Sequence, residues 1–168
     1  MQDFSEHVEA LLACCPDVVV IMGPQSSHPR MDWGVHGGAR HGGRLGPDAG
    51  VSGVILPASP DVARDVVEAF EADGVPADYA PAGLCEAARS VVWALARESF
   101  PGKTLVIEPP QARSPQARAA GSALALALAS WGLSWGLLSY GGAPELEQAR
   151  SVVDGARAVQ RFLGALAG

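Results

Sequence analysis

Apolar positions recur along this chain in two rhythms. Val8, Leu11 and Leu12 follow Asp3 and Glu6 at the spacing of a capped helix with one apolar face, and Pro16 ends that segment. Asp17-Val18-Val19-Val20-Ile21-Met22 is a short unbroken apolar run, which predicts a strand covered on both faces. From Gly23 to Gly50 the pattern gives way to glycine, proline, histidine and arginine, predicting a long loop or irregular hairpin of the kind that carries function. Val51 to Leu56 then reads as a strand closed by Pro57. Pro60 and Asp61 open a helix in which Val62, Val66 and Phe70 recur on one face, up to Asp73-Gly74. Val75 to Ala80 is a weaker strand, a helix follows from Leu84 to Glu98, and Lys103 to Ile107 is a strand stopped by Pro109 and Pro110. Ser122 to Leu138 carries no charge, yet Ser130, Gly132, Ser134 and Gly136 interrupt it, so a helix buried in a core is expected rather than a membrane span. A last helix opens at Pro144 with Leu146, Ala149, Val153 and Ala156 on one face.

Strands alternating with helices predict a single α/β domain over residues 1–168, three-layered α/β/α with a mostly parallel central sheet. The long loop spans 23–50 and a helical segment spans 115–166. In such folds the site lies beyond the carboxyl ends of the strands, which points to Gly23 onward, Ala80 to Cys85, and Glu108 onward. At 168 residues, 48% hydrophobic and 18% charged, the chain has the material for one core. A net charge of −6 with Lys103 as the only lysine argues against a nucleic-acid partner. The start of the chain lacks the basic, then apolar, pattern of a signal peptide. Three cysteines, Cys14 and Cys15 adjacent, make a poor disulfide framework, so a cytoplasmic location is expected.

Cys85 is the sharpest candidate for chemistry. It falls in the first turn of a helix, where unpaired amides and the helix dipole favour a thiolate and can serve as oxyanion donors. A buried small hydrophobe is the competing reading.

The order of motifs around Cys85 resembles the pyroglutamyl peptidase I family, the pyrrolidone-carboxylate cysteine peptidases. Leu56-Pro57, Gly74-Val75-Pro76-Ala77, Ala82-Gly83, Leu84-Cys85 and the strand running into Glu108-Pro109-Pro110 stand in the family's sequence, and Asp17 to Gly23 resembles its second strand. The resemblance implies a pyroglutamyl peptidase-like α/β fold and a Cys-His-Glu triad that removes N-terminal pyroglutamate from small peptides through a thioester on Cys85. It implies no cofactor. Gly83 and Leu84 would line the substrate, and Trp33 is the nearest aromatic for the apolar lactam pocket. The family's histidine falls where this chain has Glu108. Its acid lies in the loop after the second strand, where Asp32 is a loosely placed substitute. His28, His36 and His41 are candidate bases from the same loop.

Two other classes of function stay open. A relative that keeps the fold and Cys85 without turnover would act as a binding or interaction protein. A metal-dependent enzyme would use His28, His36 and His41 with Asp32 and Asp48, although a glycine-rich loop sets no ligand geometry. The pairs Gly37-Gly38 and Gly42-Gly43 do not match a phosphate loop. Arg40 and Arg44 are candidates for a substrate carboxylate, with plain solvation the alternative. Trp131 and Trp135, read as one face of the long apolar helix, suggest core packing or a homo-oligomer face, with a ligand pocket the alternative.

Overall fold

The computed structural model describes residues 2–24, 32–44, 53–80, 83–110 and 114–167. Helix α1 (Gln2–Ala13) leads into β1 (Val18–Met22), whose five residues are all buried. After it come β2 (Trp33–Val35), β3 (Arg40–Gly43), β4 (Val54–Pro57) and α2 (Pro60–Ala72). The rest of the chain forms β5 (Ala77–Tyr79), α3 (Glu86–Arg97), β6 (Lys103–Glu108), α4 (Ala117–Ser130), β7 (Trp135–Ser139) and α5 (Ala143–Ala167).

Five strands make the central sheet, in the order β5-β2-β6-β1-β7. Strand β1 is parallel to both β6 and β7, while β2 and β5 are parallel to each other and antiparallel to β6. The sheet is mostly parallel and lies between two helical layers. Val18, Val20, Met22, Leu105 and Ile107 face α2, α4 and α5; Val19, Ile21 and Val106 face α1 and α3. Covering on both faces is the reason β1 is apolar at every position rather than at alternate ones.

Local signals set several boundaries. The Ser59 hydroxyl accepts from the Val62 amide at 3.3 Å and Pro60 holds the first helical position, so α2 starts as the residues demand. It ends at Ala72, and Gly74, just past the Asp73 cap, takes a left-handed φ of +73°.

Four expectations need correction. The stretch 23–50 is not one loop: β2 joins the central sheet between β6 and β5, and β3 pairs with β4. Strand β4 therefore belongs to a separate antiparallel hairpin and not to the central sheet. Because β5 runs against β6, the segment after Ala80 does not leave from the rim formed by the carboxyl ends of β1, β6 and β7. The apolar run 122–138 is not a single helix. Gly132 takes a φ of +66°, and the amides of Gly132 and Leu133 close back on Ala129 and Leu128, ending α4 before β7 begins. Trp131 and Trp135 consequently lie on different elements, the first bonding Asp65 through its indole N–H at 2.9 Å. Among the described residues no helix is long and apolar enough to cross a membrane.

Candidate active site

Cys85 caps α3. Its backbone is extended (φ −65°, ψ 163°), and its sulfur accepts from the Ala88 amide at 3.4 Å, the position a serine oxygen takes at other helix starts. The half-buried sulfur also lies 3.2 Å from the Tyr140 hydroxyl. Tyr140 follows β7, where its amide donates to the Met22 carbonyl at 3.0 Å. Its ring covers Gly23 so closely that any Cβ there would overlap it. Burial first, then the bond to Cys85 and the nearby Cys85 and Glu108 charges, push ionisation of the Tyr140 hydroxyl above its ordinary range. A hydroxyl that keeps its proton is able to donate to the sulfur.

Alternation along β6 turns Thr104, Val106 and Glu108 to the same face of the sheet. Two histidines meet that face. Glu108 is only 4% exposed, and its Oε1 is 3.0 Å from His36 Nε2. The His36 and His41 rings stand edge to face, 6.2 Å apart. His41 Nδ1 is 2.8 Å from the Thr104 hydroxyl, which itself donates to the Pro57 carbonyl at 3.3 Å. Both bonds form together only when Nδ1 carries the proton, which leaves Nε2 as a bare acceptor. Burial, reinforced by the charge His36 carries when protonated, lowers the pKa of His41 to about 4.

An open cleft of about 860 Å³ runs between the hairpin and the starts of α2 and α3. His36, His41, Arg40, Arg64 and Arg89 line it, together with Gly83 and Leu84.

The structure thus brings Glu108 and His36 into contact, sets Cys85 against Tyr140, and places Gly83 and Leu84 on the cleft wall. It does not place Trp33 there. That side chain is 1% exposed, meets Phe70 edge to face at 5.8 Å and directs its N–H to Ser114 at 3.4 Å, so it is a core residue. Asp32 is exposed at the start of β2. His28 and Asp48 lie outside the described residues. Among the described residues no three His, Cys, Asp or Glu side chains converge as a metal site. Tyr140 and Arg89 escape a sequence reading: the first sits in a stretch that scans as helix, the second is one arginine among several on a helix. Compared with protein-family models and with curated proteins, the chain matches none.

Proposed function

We propose that this chain is a cysteine hydrolase of small peptides, pyroglutamyl peptidase-like in chemistry, with Cys85 as its nucleophile. The observation that carries the reading is the Glu108–His36 pair at 3.0 Å, near the Tyr140 hydroxyl that bonds Cys85. Relative to the family pattern, carboxylate and imidazole occupy exchanged positions: the acid ends the β6 strand and the histidine follows β2. In this reading the Cys85 sulfur attacks the carbonyl carbon of the amino-terminal residue, and the pair takes the thiol proton and returns it to the departing amine. Water then hydrolyses the thioester. Apart from the Ala88 amide, which bonds the sulfur, the amides of the first turn of α3 would be the oxyanion donors.

A binding protein without turnover is the second reading. Among the described residues the sulfur's hydrogen-bond partners, the Ala88 amide and the Tyr140 hydroxyl, include no imidazole. Hydrolysis of a pyroglutamyl chromogenic substrate decides between them. Cys85→Ser keeps an oxygen in the capping position and so preserves α3, yet it should lower turnover by about a thousandfold or more. Glu108→Gln and Tyr140→Phe should each lower it without changing the fold. A folded wild-type protein with no cysteine-dependent turnover would remove the enzyme reading and leave the binding one.

A further inference from the structure

We infer that the cleft between the hairpin and α3 binds a small molecule bearing an oxyanion, carboxylate or phosphate, together with an O–H or N–H donor. Two buried atoms of opposite character carry the argument. Arg89 Nε and His41 Nε2 both lack a hydrogen-bond partner among the described residues, and both side chains line the same cleft. A guanidinium N–H without an acceptor and an imidazole lone pair without a donor each cost free energy in a buried setting. A ligand seated in the cleft with an acceptor toward Arg89 and a donor toward His41 would supply both missing partners. His41 is 4% exposed and tied at Nδ1 to Thr104, so its bare Nε2 is held in place rather than free to turn to solvent.

Charge points the same way. Arg64 is compensated at 3.3 Å by Asp61 and Asp65, but among the described residues Arg40 and Arg89 have no carboxylate partner. Two uncompensated arginines on one cleft stand against a net charge of −6 for the whole chain. Guanidinium groups match the planar fork of a carboxylate or the edge of a phosphate. A volume of about 860 Å³ is ample for a small metabolite. Cys85 itself does not line the cleft, but His36 of the proposed catalytic pair does, so the inference adds a ligand to that neighbourhood without depending on turnover at the sulfur.

Calorimetric titration of the intact chain with lactate, propionate, lactamide and glycerol 3-phosphate tests it. Lactate or glycerol 3-phosphate should bind, and the tighter of the two identifies the oxyanion. Propionate, lacking the hydroxyl, should bind more weakly than lactate, and lactamide, lacking the charge, should not bind. Arg89→Gln should weaken binding by about tenfold or more, and so should Arg40→Gln at an exposed position that leaves the core intact. Cys85→Ser should bind as the wild type does, so loss of hydrolysis and loss of anion binding report separately. The inference is overturned if neither oxyanion binds at millimolar concentration, if lactamide binds as well as lactate, or if both arginine variants keep full affinity. Equal binding of lactate and propionate would overturn the donor requirement at His41.

Discussion

Burial dominates the behaviour of His41, and the neighbouring His36 adds to it. An unfolded chain's imidazole titrates near the ordinary 6.5, whereas in the folded protein it stays neutral down to about 4. Between those values the unfolded state binds the extra proton. The contribution of this residue to stability is therefore whole above about pH 6.5 and is lost as the pH falls to about 4, roughly 3 kcal/mol in all. Urea unfolding at about pH 7 and about pH 4.5 should show the wild type losing about 2 kcal/mol more across the interval than His41→Gln. Equal losses would mean that this imidazole is not held neutral. Of the candidate site's residues, Cys85 was legible in the sequence as the residue that opens α3, because a helical apolar period begins just after it. Glu108 was legible as the end of an apolar strand. Its partner was not, since three loop histidines are alike in sequence and only the fold of β2 back onto β6 selects His36.

Helices α4 and α5 approach closely enough that two glycines sit in their contact. A methyl group at Gly121 would overlap the Val152 carbonyl, and one at Gly155 would overlap the Arg118 carbonyl. Ser122 joins the same crossing by donating to the Gly155 carbonyl at 3.2 Å. In an isolated helix, glycine to alanine stabilises by about 1 kcal/mol. Here the sign should reverse. Gly121→Ala and Gly155→Ala should each destabilise by about 1–3 kcal/mol in urea unfolding, because backbone rather than a mobile side chain must give way. Stabilisation by either would show that the helices can part without cost. At this scale α2 was legible, with the opening proline and the terminal glycine agreeing with its apolar period, and the structure adds Ser59 as its cap. The region 122–138 was not. Hydropathy is uniform across it, and a helix and a strand buried in one core look alike until Gly132 is seen to take a left-handed φ.

Across the whole molecule, one sheet separates two cores of different character. The α2, α4 and α5 side is closed by large apolar groups, while the α1 and α3 side admits Glu108, Thr104 and the two histidines. Trp33 stands on the first side, tying β2 to α2 through Phe70 and to the segment ahead of α4 through Ser114. Trp33→Ala should remove about 3–5 kcal/mol, a large share of the 5–15 kcal/mol that a domain commonly has, with a fall in urea midpoint and loss of near-ultraviolet circular dichroism. An unchanged midpoint with altered ligand affinity would return Trp33 to the cleft. The sequence by itself determined the α/β class, the doubly covered β1 and β6 strands and the helix that Cys85 begins, because each depends on neighbours within a few residues: apolar period, caps, glycine and proline. Only the tertiary structure decided that β2 and β5 run against β6, that β3 and β4 leave the central sheet, and which of the loop histidines meets Glu108. Those outcomes turn on strand direction and register, which pair residues tens of positions apart and leave no local trace in the order of amino acids.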